Sequence, residues 1–118
     1  MPVRSLHSSV LKWPDKATVT RALESWAAAM SRQHPELLRV GYYGSYARGD
    51  WGVGSDLDIV VIVSRAVSPF LERPSAWDRS SLPVPTDIRV YTDGEWADIV
   101  ARGDRFSHVM QTEVDWIL

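Results

Sequence analysis

Three short runs of this chain carry apolar residues in patterns that predict strands. Leu37 to Tyr43 (LLRVGYY) is the first, and the stretch from Asp56 to Val63 is the second, with Leu57, Ile59, Val60, Val61, Ile62 and Val63 forming a largely β-branched block. That block is too short for a typical helix, so it reads as a buried strand. Val84 to Tyr91 (VPTDIRVY) alternates and predicts the third. Upstream, Pro14 to Gln33 reads as a helix, with Ala22, Leu23, Trp26, Ala29 and Met30 on one apolar face. Pro14 or Asp15 stands at its start and Pro35 ends it. Between residues 65 and 83, Pro69, Pro74 and the Trp77 to Ser81 stretch predict a broken helix and an irregular loop. A final helix is expected to begin near Asp93 and to include Glu95, Trp96, Ile99 and Val100. The tail from Phe106 to Leu118 stays apolar through Val109, Met110, Val114, Trp116 and Ile117, which predicts burial. Its cover is the domain's own core, a second copy of the chain, or a partner.

These elements make an α/β (α+β) chain, a small mixed β-sheet packed with helices. At 118 residues the length supports one domain, 1–118, with a modest core. Thirteen basic against fifteen acidic residues leave a net charge of -2, with no Lys/Arg block. A broad nucleic-acid face, which needs such a block, is not expected. The absence of cysteine removes disulfides and thiolate metal sites. No apolar stretch reaches membrane-spanning length, and the N-terminal MPVRSLHSSVLKWP lacks the apolar core of a secretory signal, so the cytoplasm is the expected location.

The chemistry concentrates in Gly44 to Val63, GSYARGDWGVGSDLDIVVIV. On a strand, residues two apart share a face, so Asp56 and Asp58 lie side by side at the strand's start. Two carboxylates that close resist ionising together. A divalent cation preferring hard oxygen donors, magnesium by default, relieves the repulsion. Just upstream, the first strand runs into Gly44-Ser45, a turn able to bring backbone N–H groups and a hydroxyl close to phosphate oxygens. A phosphate-holding turn beside a metal-holding strand describes a site for a metal-bound nucleoside triphosphate.

Gly44-Ser45, ten intervening residues, then Asp56-Leu57-Asp58 resembles the signature of the DNA polymerase β-like nucleotidyltransferase superfamily. In particular it resembles the minimal nucleotidyltransferase domains that act as antitoxins beside HEPN-domain toxins, over about residues 36 to 91. The resemblance implies a polymerase β-like core and a third carboxylate from a later strand. Asp87 ranks first for that place, ahead of Asp78, Asp93 and Asp98, because it alone lies within the downstream strand pattern. With the carboxylate set complete, the resemblance implies an active enzyme that transfers AMP from ATP to a hydroxyl and releases pyrophosphate. Two magnesium ions, with manganese as the alternative, would be held by Asp56, Asp58 and Asp87, while Gly44 and Ser45 grip the β- and γ-phosphates. Larger relatives carry an added helical domain for which this chain is too short. The implied acceptor is accordingly a partner protein, a HEPN toxin modified on a tyrosine hydroxyl. The alternatives are a non-catalytic antitoxin that works by docking alone, and an enzyme acting on a small molecule such as an aminoglycoside or on an RNA end.

Several residues keep two readings. Arg48 reaches either the triphosphate or Asp50; Ser55 either orients the strand entry or touches phosphate; Asp87 is either a metal ligand or the surface partner of Arg89. Trp51 covers a nucleotide or packs like the other five tryptophans. His7, His34 and His108 have no ligand-like partner in the sequence.

Overall fold

The computed structural model describes residues 13–118. Its sheet has four strands in the order β3-β2-β1-β4, where β1 is Leu37–Tyr43, β2 Leu57–Val63, β3 Thr86–Thr92 and β4 Asp115–Trp116. β2 runs antiparallel to β1 and parallel to β3, which makes the sheet mixed as expected. Every apolar residue of β2 is buried. The period-two alternation splits them between two faces: Leu57, Ile59, Val61 and Val63 join one core cluster, Val60 and Ile62 the other.

The first cluster is covered by α1, Lys16–Gln33, whose buried stripe is Val19, Leu23, Trp26, Ala27 and Met30. Ala22 and Ala29, expected on that face, flank the stripe and are partly buried against it. Asp15 is the N-cap, accepting from the Thr18 N–H at 2.8 Å. Such a cap supplies about 1 kcal/mol to a helix start. Pro14 stays outside the helix, and Pro35 follows the His34 C-cap. The Tyr46 hydroxyl donates to Pro14 O at 2.9 Å and so ties this helix start to the turn after β1.

The second face is covered by α3, Asp93–Arg102, and α4, Arg105–Thr112; α2 is the short Ser45–Arg48 turn of helix between β1 and β2. Thr92 and Glu95 form a reciprocal capping box that starts α3 near Asp93, as the sequence predicts. Arg73 holds a 3-10 helix over Phe70–Ala76 against this layer, donating to Val90 O at 3.1 Å and to both carboxylate oxygens of Glu95 at 2.7 and 3.2 Å. The broken helix expected between residues 65 and 83 takes this 3-10 form, with Pro74 inside it.

Some boundaries and one element differ from expectation. β3 begins at Thr86 rather than Val84, because Pro83 and Pro85 have no N–H to give a ladder. β2 begins at Leu57, one residue after Asp56. The apolar tail is a helix and a strand: Asp104 caps α4 by accepting from Ser107 N–H at 2.8 Å, and β4 then pairs with β1. Met110 and Val114 are buried in the chain's own core, while Leu118 remains exposed. Gly41 permits this seating, since a Cβ there would lie 2.6 Å from Val114 Cγ1 and 2.8 Å from the Trp116 ring. No helix among the described residues is long and apolar enough to cross a membrane. His7 and the rest of residues 1–12 lie outside the described residues.

Candidate active site

β1 ends at Tyr43, and the chain turns at Gly44 with φ 81° and ψ -153°. Almost only glycine occupies that region. A Cβ on Gly44 would also overlap Asp58 Oδ2, so the absence of a side chain is what lets the turn lie against the carboxylate. The α2 turn then closes through Arg48 N–H to Gly44 O at 3.0 Å and Gly49 N–H to Ser45 O at 2.9 Å. Tyr46, fully buried, anchors it from below.

In the loop that follows, the Trp51 ring stacks on Tyr46 with centroids 5.7 Å apart and planes 7° from parallel. Trp51 is therefore packing material, partly buried against the first core cluster. Ser55 orients the strand entry, its Oγ accepting from Gly52 N–H at 2.8 Å. Arg48 is engaged in ion pairs, with Nε 3.1 Å from Asp50 Oδ2 and Nη1 2.8 Å from Glu113 Oε1.

Asp58 is flanked on both sides. In the sheet register it lies opposite Tyr43 of β1 and beside Asp87 of β3. Asp56 precedes the strand by one residue, close enough for its charge to act on Asp58. Burial raises the Asp58 pKa, and the charges of Asp87 and Asp56 push it further in the same direction; Arg89 and Arg48 oppose them. Arg89 Nε sits 3.6 Å from Asp87 Oδ2, so the pairing weighed for Asp87 in the sequence is present in the structure. The Tyr43 hydroxyl is buried without a hydrogen-bond partner among the described residues. Desolvation, opposed by Arg89 and reinforced by Asp58 and Asp87, pushes its pKa up to about 12.

The other acids considered for the third place lie elsewhere. Asp78 is in the loop under α1, its carbonyl accepting from Trp26 Nε1 at 2.6 Å and its carboxylate from Ser80 N–H at 2.9 Å. Asp93 starts α3 and accepts from Gly94 N–H. Asp98 lines a cavity of about 420 Å³ with Phe70, Tyr91, Arg102 and Phe106, which none of Asp56, Asp58 and Asp87 lines. His34 stacks on Trp77 at 3.8 Å and meets Glu36 at 3.3 Å.

The donor set of Asp56, Asp58 and Asp87 suits a hard divalent cation; burial is the larger cause of the upward push on Asp58, and the part due to the charges of Asp87 and Asp56 is what a cation would relieve. Among the described residues, no three acidic or histidine side chains are gathered closely enough to hold a metal as they stand. Asp87 faces Arg89, whose Nε lies 3.6 Å from its Oδ2.

Glu113, Arg89 and Tyr43 contribute to this site without having been singled out for it in the sequence. Arg89 and Tyr43 carried a signal, since one follows Asp87 by two residues on the same strand face and the other directly precedes the turn. Glu113 carried none: it arrives from 69 positions beyond Gly44 to accept its N–H at 2.9 Å.

In fold, the chain is similar to a Sulfolobus solfataricus protein solved as a candidate nucleotidyltransferase, with TM-score 0.58 at 21% identity over 70% of this chain and 75% of that one. A toxin-antitoxin structure with AMP-PNP aligns at TM-score 0.47 and 19% identity, over 79% of this chain and 70% of that one. No curated protein sequence matches significantly. The model of the nucleotidyltransferase domain matches residues 23–110, from within α1 through β1, the Gly44 turn, β2 and β3 into α4. The chain belongs to the nucleotidyltransferase domain family.

Proposed function

We propose that this chain transfers AMP from ATP, in a magnesium-dependent reaction, to a hydroxyl on a partner protein, and that it acts as the antitoxin of a HEPN-type toxin. The observation that carries the reading is the lateral pair Asp58 and Asp87, in register across two parallel strands, with the Gly44 turn lying against Asp58. Asp56, Asp58 and Asp87 would hold the divalent metal, which supplies charge neutralisation of the triphosphate and a lowered pKa for the attacking hydroxyl. Gly44, Ser45 and Arg48 would bind the β- and γ-phosphates. Asp87, the more exposed of the paired carboxylates, would accept the acceptor's proton. The acceptor oxygen forms a bond to the α-phosphorus, the bond from that phosphorus to the bridging oxygen breaks, and pyrophosphate leaves.

The partner-protein acceptor rests on the resemblance of the GSYARGD and SDLDIVV segments to minimal nucleotidyltransferase antitoxins, and on the exposure of Asp56 and Asp87 at the open strand ends. Intact mass spectrometry of the neighbouring gene's product, incubated with this protein, ATP and Mg²⁺, tests it. A gain of one AMP per partner, absent with Asp58→Asn, is expected; tight binding without mass gain would establish a docking-only antitoxin. That second reading draws on Asp87 being held by Arg89 and on Glu113 holding Gly44 and Arg48.

A further inference from the structure

The corner between α4 and β4 delivers an acid to the Gly44 turn from the far end of the chain. Glu113 is the C-cap of α4, and one of its carboxylate oxygens, Oε1, accepts from both Gly44 N–H at 2.9 Å and Arg48 Nη1 at 2.8 Å. Both contacts are charge-assisted and so belong to the stronger class of hydrogen bond. The Glu113 side chain is 21% exposed and that of Arg48 49%, which puts the contact at the rim of the site rather than in the core. These are two of the donors that the proposed function assigns to the triphosphate. A carboxylate oxygen and a phosphate oxygen make the same demand on them: a negative acceptor between an N–H and a guanidinium.

We infer that Glu113 is an internal competitor for the phosphates of the nucleotide, seated on Gly44 and Arg48 in the free protein and displaced by an incoming triphosphate. The inference rests on the proposed assignment of Gly44 and Arg48 to phosphate. Displacement needs a side-chain rotation, not a movement of the segment. The backbone around Glu113 is pinned, with Val114 and Trp116 against Gly41 and Ile117 N–H bonded to Val40 O at 2.9 Å. Arg48 keeps Asp50 as a second partner once Glu113 leaves. The apparent affinity for nucleotide is then the intrinsic affinity reduced by the fraction of molecules with Glu113 withdrawn. Anything that draws Glu113 off tightens binding.

The test is calorimetric titration of sodium tripolyphosphate, and separately of ATP with Mg²⁺, into the wild type, Glu113→Gln, Glu113→Ala and Arg48→Ala. The Gly44 amide is followed by NMR in each. Removing the Glu113 charge should tighten tripolyphosphate and ATP binding by about tenfold, roughly the gap between a charge-assisted and a neutral contact. The Gly44 amide should shift on Glu113→Gln and shift again on tripolyphosphate addition, and Arg48→Ala should weaken both ligands. Equal or weaker tripolyphosphate binding by both Glu113 variants would overturn the inference and make Glu113 a support for the turn. So would failure of tripolyphosphate to bind any of the proteins. Tightened tripolyphosphate binding, with no AMP transfer by the wild type or any variant when ATP, Mg²⁺ and the neighbouring gene's product are supplied in a parallel assay, would instead refute the proposed function and leave the competition by Glu113 standing.

Discussion

Asp58 and Asp87 stand side by side on the parallel strands β2 and β3, paired in register, and Asp58 is the one that burial and its neighbours push toward the protonated form. An isolated fold gains nothing from that arrangement, since a half-buried carboxylate beside two others lowers stability whenever it is ionised.

The sign of the effect follows from linkage. A carboxyl whose folded pKa lies above its unfolded value contributes stability that is fully present below the unfolded pKa and lost as pH rises through the folded one. Asp58→Asn removes that loss. The variant should melt above the wild type at pH 7, with the difference shrinking toward pH 3, while losing nucleotidyl transfer. Thermal melts from pH 3 to pH 7 check it; a variant less stable than the wild type at pH 7 would contradict the electrostatic account.

Gly44→Ala should act in the opposite direction on stability. The backbone there, at φ 81° and ψ -153°, is nearly closed to alanine, and the added methyl would meet the Asp58 carboxylate. A loss of about 1–3 kcal/mol is expected from such a site, together with loss of ATP binding. Urea unfolding measures the first; a change below about 0.5 kcal/mol, the level of an ordinary surface substitution, would mean that the turn relaxes freely.

The Tyr43 hydroxyl gives a separate handle on the site's electrostatics. Because it is buried without a described partner, Tyr43→Phe should be neutral or stabilising by up to about 1 kcal/mol. Spectrophotometric titration should show one tyrosine, absent in the variant, ionising only near pH 12, since its pKa is pushed up to about 12. Ionisation of that tyrosine near pH 10, or marked destabilisation by the phenylalanine, would show that the hydroxyl has a partner and a role.

The strands, and the place of the acidic pair at the start of β2, were legible in the sequence because their signals are local. The β-branched block of β2 and the i, i+2 spacing of Asp56 and Asp58 need no tertiary information. Asp87 could be ranked above Asp78 by its strand pattern, and the register places it beside Asp58. What the sequence hid depends on contacts between distant segments. Nothing near Glu113 announces that its carboxylate meets Gly44, and the tail's apolar residues show burial without showing that α4 and β4 fold back onto β1. Trp51 was ambiguous for the same reason, its partner Tyr46 being defined only once the α2 turn has formed.

The central claim, that the Asp56, Asp58 and Asp87 set runs metal-dependent nucleotidyl transfer, is tested most directly by pyrophosphate release from ATP in the presence of the neighbouring gene's product. The account predicts release with Mg²⁺ by the wild type, none in EDTA, and none with Asp58→Asn or Asp87→Asn. Release that continues in EDTA, or that persists in either variant, would contradict it.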